Sequence, residues 1–169
     1  IRSCILWGPP GCGKTTLVRL AAEESGRRLL ELNAADAKAA DLREAMEQGA
    51  SAALRGETAP ILFIDEIYHL NRTQQDLLLP AVERGTVALM GTTVENPWHC
   101  LAPSLMSRCI LFEMEALPKE SLMRVLVRGS EIMKRELGVA SGREVLEAIL
   151  DKCAGDARQG LTLLELSCE

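Results

Sequence analysis

The sequence predicts an α/β fold, a five-stranded, mostly parallel sheet wound by helices, followed by a small all-helical lid. Three observations carry this expectation. Short apolar runs alternate with amphipathic stretches over the first two thirds of the chain, the pattern of strands joined by helical crossovers. A glycine-rich loop separates the first apolar run from the first amphipathic stretch. After Leu117-Pro118 the apolar residues recur only at helical spacing. The partition is therefore residues 1–117 as the α/β core and residues 118–169 as the lid, the latter expected to be truncated because the chain stops inside a helical pattern.

Each element has its own justification. Cys4-Ile-Leu-Trp7 is a short apolar strand, and Lys14 to Glu24 reads as the helix after the loop. Arg28 to Leu32 is a second strand, and Asn33-Ala-Ala-Asp36 is a turn or helix cap. From Asp41 to Leu54 apolar residues recur at helical spacing, Leu42, Ala45, Met46, Ala50, Ala53 and Leu54, and Gly56 to Pro60 ends that helix. Ile61-Leu-Phe-Ile64 is apolar at consecutive positions, as a central parallel strand covered on both faces must be. Thr73 to Arg84 is a helix stopped by Gly85, with Pro80 as a local conflict expected to kink it. Thr86 to Met90 is a fourth strand with Gly91-Thr92-Thr93 leaving its carboxyl end. A proline-punctuated loop from Asn96 leads to a short helix at Ser104 to Ser107, and Cys109 to Phe112 is the fifth strand. The lid helices are expected at Lys119 to Glu136, Gly142 to Lys152 and Ala157 to Ser167.

Composition narrows the function classes. A hydrophobic fraction of 47% with 25% charged residues excludes general disorder. Net charge of −5 argues against an overall basic nucleic-acid surface, and 3% aromatics leaves few rings for stacking bases. The six cysteines form no C-x-x-C pair, and His99 beside Cys100 has no second spaced pair, so buried reduced thiols are expected rather than a zinc site or a disulfide framework. The sequence shows no signal peptide and no run long enough to span a membrane, so no membrane partner is expected.

The chemistry begins at Gly8-Pro9-Pro10-Gly11-Cys12-Gly13-Lys14-Thr15-Thr16. The spacing G-x-x-x-x-G-K-[ST], after a strand and before a helix, is that of a P-loop, which binds a nucleoside triphosphate. Its glycines let backbone N–H groups turn inward around a phosphate, and the helix N-terminus adds partial positive charge. Lys14 is expected on the β and γ phosphates and the Thr15 hydroxyl on Mg²⁺. Asp65-Glu66, at the end of the apolar third strand, is the second element: Asp65 would hold Mg²⁺ through water, and Glu66 would orient or deprotonate an attacking water. That arrangement favours hydrolysis over transfer to an acceptor. Thr93 reads equally as a ligand of the γ phosphate or attacking water and as a plain turn hydroxyl. Arg108 precedes a strand as many surface arginines do, and Arg158 opens the last helix, where it either leans on the nucleotide or is solvated.

Taken together, Gly8 to Thr16, Ile61 to Asn71, Gln74-Gln75-Asp76, Glu83 to Val87, Gly91 to Pro97, Ser107-Arg108-Cys109 and Gly155 to Arg158 resemble the AAA+ ATPases of the clamp-loader branch, in particular the replication-associated recombination protein A family with its Werner-helicase-interacting ATPases. The resemblance implies ATP and Mg²⁺ as ligands, Gly8 to Thr15 as Walker A, Asp65 with Glu66 as Walker B, and Thr93 as sensor 1. It also implies Arg108 as an arginine finger given to a neighbouring subunit, Arg158 as the sensor 2 arginine, and Asn33 as a residue able to hold Glu66 in an inactive rotamer. Val94, Tyr68-His69-Leu70, Gln159, Gly160 and Thr162 depart from the usual pattern without removing a reacting group. The function so implied is that of an ATP-hydrolysing module of a DNA-dependent protein of replication-fork maintenance and recombination. Its partners would be forked or single-stranded DNA, replication proteins and copies of itself in the full-length protein. Its place would be cytoplasmic and nucleoid-associated in a bacterium, or nuclear in a eukaryote. A clamp-loader subunit and a nucleotide-gated binding module without productive hydrolysis are the alternatives.

Overall fold

The computed structural model describes residues 2–139 and 141–167. The chain divides into two compact units, one formed by residues 1–8 and 14–113 and the other by residues 9–13 and 114–169.

The first unit is built on β1 (Cys4–Trp7), β2 (Leu29–Asn33), β3 (Ile61–Asp65), β4 (Ala88–Thr93) and β5 (Ile110–Glu113). They form one sheet in the order β2-β3-β4-β1-β5, with every pairing parallel. The expectation of a mostly parallel sheet is thus met in full. Parallel neighbours require a crossover between them, and the crossovers carry α1 (Lys14–Ser25), α2 (Ala39–Leu54) and α3 (Arg72–Arg84), with the short α4 (Pro97–Cys100) and α5 (Pro103–Met106) before β5.

Burial follows the strand order. The side chains of β3 from Ile61 to Ile64 are wholly buried, because alternate residues face opposite layers and both layers are covered. Leu62 and Ile64 join Leu42 and Ala45 of α2 and Leu78 and Ala81 of α3 in one core, while α1 lies against β3 and β4. Removing a side chain such as Leu62 or Leu78 from this core costs about 2–5 kcal/mol. At the sheet's edge, Ile110 and Phe112 of β5 are about half exposed.

Several boundaries differ from expectation. The fourth strand begins two residues late and runs through Gly91, Thr92 and Thr93, because those residues pair with β1 at Ile5, Leu6 and Trp7. The composition of a turn is overridden there by a central position in the sheet. α3 passes through Pro80 as a single helix. Its N-terminus is fixed by a reciprocal capping box: the Gln74 N–H donates to Asn71 Oδ1 at 2.9 Å and the Asn71 N–H to Gln74 Oε1 at 3.0 Å. Pro97 and Pro103 each sit in the first turn of a short helix, where a missing N–H costs nothing.

The second unit contains α6 (Lys119–Leu137), α7 (Arg143–Lys152) and α8 (Ala157–Leu166). Leu122 and Leu126 of α6, Leu146 and Ile149 of α7, Cys153 just after α7, and Leu164 of α8 form its core. Among the described residues no helix is long and apolar enough to cross a membrane. Cys168, the last of the six cysteines, lies outside the described residues.

Candidate nucleotide site

Within the first unit the residues that bracket the glycine loop, Gly8 and Lys14, are both tied down. The Gly8 N–H donates to the Thr93 carbonyl at 3.2 Å, which anchors the start of the loop on the end of β4. Lys14, the first residue of α1, is buried, and its Nζ donates to the Gly8 carbonyl at 2.8 Å. Lysine is seldom buried without a partner, and here the charge is held where the loop begins and ends. Thr15, on the first turn of the same helix, is half-buried and Thr16 exposed.

The loop fits a phosphate ligand. Gly8, Gly11 and Gly13 have φ of 152°, 66° and 98°, and among the described residues nothing lies within 4 Å of where a side chain at Gly13 would be. Backbone in these conformations turns N–H groups inward, the arrangement that binds anions ahead of a helix N-terminus. The donor set also suits Mg²⁺, a hard cation that takes carboxylate, hydroxyl and water oxygens: the Thr15 hydroxyl and the Asp65 carboxylate are of that kind.

Asp65 is the last residue of β3, and Glu66 follows it with φ 54° and ψ 44°, a left-handed conformation that side chains rarely adopt. The peptide between them is held on both sides. The Asp65 carbonyl accepts from the Ala34 N–H at 2.9 Å, and the Glu66 N–H donates to Thr92 Oγ1 at 3.3 Å. The same Thr92 hydroxyl donates to Asp65 Oδ1. The Glu66 carboxylate is exposed and lies 3.6 Å from His69 Nε2. Asn33, the residue read as able to hold Glu66 in an inactive rotamer, lies opposite Asp65 in the β2–β3 register and closes an Asx turn, its Oδ1 accepting from the Ala35 N–H at 3.0 Å.

Thr93 is buried at the end of β4. Its hydroxyl accepts from the Glu95 N–H at 2.9 Å and donates to the Glu95 carbonyl at 3.1 Å. Neighbouring strand residues point to opposite faces, so it is Thr92 that meets the Asp65-Glu66 pair. Arg108 follows α5, with Nη1 donating to the Ser104 carbonyl at 2.6 Å and to Ser107 Oγ at 3.2 Å, and with an ion pair to Glu83 in the last turn of α3.

Within the second unit, Arg158 is exposed in the first turn of α8. Asp156 caps that helix, its Oδ1 accepting from the N–H of Arg158 at 2.8 Å and of Gln159 at 3.1 Å. The Ala157 N–H donates to the Gly11 carbonyl at 3.2 Å, so the middle of the glycine loop sits on the α8 N-terminus.

The first unit therefore brings Gly8, Lys14, Thr93, Asp65 and Glu66 to the carboxyl ends of three adjacent strands, β1, β4 and β3. Arg108 is held on Glu83, and in the second unit Arg158 follows Ala157, whose N–H donates to the Gly11 carbonyl. A family model described as "ATPase family associated with various cellular activities (AAA)" matches residues 4–115. The chain belongs to the AAA ATPase family. Nucleotide binding by this AAA chain follows from that membership.

The AAA chain is 38% identical over 169 residues to ATPase WRNIP1 of Dictyostelium discoideum, covering 98% of this chain and 19% of that protein. It is 39% identical to replication-associated recombination protein A of Coxiella burnetii, covering 98% of this chain and 38% of the relative. The resemblance read from the motifs to these proteins is borne out. A solved structure of the Thermotoga maritima RuvB Holliday junction branch migration motor superposes with a TM-score of 0.77 at 26% identity, over 98% of this chain and 53% of that one. The AAA chain thus spans well under half the length of the curated relatives it matches.

Sequence reasoning missed Thr92 and Glu83. Extending the fourth strand by three residues would have exposed the role of Thr92, since in parallel register it falls beside the acidic end of β3. The Glu83–Arg108 pair joins residues distant in sequence, and no local pattern announces it.

Proposed function

We propose that this chain is the ATP-hydrolysing module of a DNA-dependent AAA protein acting in replication-fork maintenance and recombination. The convergence of Lys14 with the Asp65-Glu66 pair at the carboxyl edge of the sheet carries the reading, since ligands of open α/β sheets bind there. Lys14 and the backbone of Gly8 to Thr16 hold the phosphates of ATP. Thr15 and Asp65 are the residues that hold Mg²⁺, which neutralises phosphate charge when bound. Glu66 takes a proton from water as its oxygen bonds to the γ phosphorus, and the bond to the bridging oxygen breaks to leave ADP and phosphate. Thr93 fixes the end of β4 beside the γ phosphate. Arg108 leaves Glu83 to stabilise charge on the nucleotide of a neighbouring copy, and Arg158 contributes from the helical unit. Names of relatives such as replication-associated recombination protein A support DNA as the partner, in the cytoplasm of a bacterium or the nucleus of a eukaryote.

The test is steady-state ATP hydrolysis by the chain extended to its natural ends, with and without forked or single-stranded DNA, over a protein dilution series. Stimulation by DNA and activity rising faster than linearly with protein are expected. Arg108→Ala should lower turnover by about 10³ to 10⁵, the range for fingers supplied in trans, with ATP affinity nearly unchanged. Strictly linear scaling, or equal losses of affinity and turnover, would overturn the role of Arg108. Tight ATP binding with no turnover under any condition would overturn hydrolysis in favour of a nucleotide-gated module.

A further inference from the structure

We infer that Thr92 is a positioning residue for the Asp65-Glu66 pair, its single hydroxyl setting both the carboxylate rotamer of Asp65 and the backbone of Glu66. The inference rests on the reading of that pair as the hydrolytic one. A hydroxyl has one proton to donate and lone pairs to accept with. Thr92 spends the proton on Asp65 Oδ1 and accepts from the Glu66 N–H at 3.3 Å. It is 1% exposed on a central strand, paired at Leu6 of β1, so its own position is fixed by the sheet and not by solvent.

The geometry decides what this clamp controls. The Asp65–Glu66 peptide must turn sharply out of β3, and Glu66 does so in a left-handed conformation. Its carbonyl end is held by the Ala34 N–H at 2.9 Å and its N–H end by Thr92. With both ends fixed, the direction in which the Glu66 side chain leaves the backbone is fixed too. Donation to one oxygen of Asp65 orients the carboxylate and leaves Oδ2 to face a cation. Thr93 cannot substitute, because its hydroxyl faces Glu95 on the opposite side of the strand.

Thr92→Val removes the hydroxyl while keeping the branched shape, and Thr92→Ser keeps the hydroxyl. Loss of a residue that orients a metal-side carboxylate typically costs 10–100-fold. In the full-length protein, Thr92→Val should lower kcat about 10–100-fold with KM for ATP within about twofold, whereas Thr92→Ser stays near wild type. The Glu66 amide, followed by hydrogen exchange in nucleotide-free protein, should lose protection in Thr92→Val alone. Valine with wild-type turnover, or serine and valine falling equally, would overturn the inference. If wild type itself does not turn over ATP, the hydrolytic reading fails by that result. The clamp is then decided by the Glu66 amide: protection kept in Thr92→Val overturns it, and protection lost there and kept in Thr92→Ser supports it.

Discussion

Gly11 is the position where one added methyl group should do the most damage to the glycine loop. Its φ of +66° is open to glycine, and a Cβ there would lie 1.8 Å from Asp156 Oδ1, 2.4 Å from Asp156 Cγ and 2.9 Å from the Ala157 nitrogen. Gly11→Ala therefore incurs two separable losses. The left-handed backbone costs a residue with a side chain about 1–2 kcal/mol. Driving the Asp156 carboxylate away removes the cap of α8, worth about 1 kcal/mol. The sum, about 2–3 kcal/mol, should lower the melting temperature by about 5–10 °C in a chain of this size. Two comparisons isolate the terms. Gly13→Ala, at φ +98° with open space around it, should show the backbone loss alone, and Asp156→Ala the cap alone. Because truncating Asp156 clears most of the obstruction, the Gly11→Ala/Asp156→Ala pair should cost less than the sum of the singles. Thermal unfolding followed by circular dichroism reads all four variants. Gly11→Ala melting within about 1 °C of wild type, or strict additivity in the double variant, would refute the reasoning.

Gln75 predicts a large effect away from any ligand. Its buried amide donates to the Leu70 carbonyl at 2.9 Å and the Cys100 carbonyl at 3.2 Å and accepts from the Ala102 N–H at 2.6 Å, so Gln75→Leu should cost about 3 kcal/mol or more in urea unfolding by stranding those groups; a loss below about 1 kcal/mol would contradict this. Cys109 predicts alkaline sensitivity. Burial, with Cys4 as a smaller contribution, pushes its thiol up to about 12, whereas the unfolded thiol ionises near about 8.5. Between those values the unfolded state binds fewer protons, so stability falls as pH rises, by at most about 1.4 kcal/mol per pH unit for this group. Urea midpoints between pH 8 and 11 should decline less steeply in Cys109→Ala than in wild type, and parallel curves would exclude the effect. Glu66→Gln should keep ATP affinity while abolishing turnover, measured by nucleotide titration beside hydrolysis; retained turnover would remove Glu66 from the reaction.

Legibility in this molecule depends on whether a signal is local. Ile61 to Ile64 read as a doubly covered strand because a short unbroken apolar run, closed by Pro60 on one side and Asp65-Glu66 on the other, suits few positions outside the centre of a sheet. The P-loop reads correctly in its context because its spacing and its flanks agree. Gly91-Thr92-Thr93 misleads for the opposite reason. Those residues carry the composition of a turn, and only their pairing with β1, far away in sequence, keeps them in a strand. With the strand cut short, Thr93 draws attention and Thr92 does not. Asn33 is legible only through resemblance, and its amide serves the turn that follows β2. The Arg108–Glu83 pair and the strand order are products of the tertiary fold, and no window of sequence contains them.

The order of the strands also shapes how the protein is made. β1 is the first strand of this stretch to leave the ribosome, yet its partners are β4 and β5, with Trp7 aligned to Thr93 and to Glu113. At a synthesis rate of about 5–20 residues per second, the P-loop and its flanking strand wait on the order of 5 to 20 s before either neighbour exists. β2 and β3 can pair much sooner. A nascent chain paused before β4 therefore carries a glycine loop whose strand has neither of its sheet neighbours, and the sheet closes only when β4 slots in between β3 and β1.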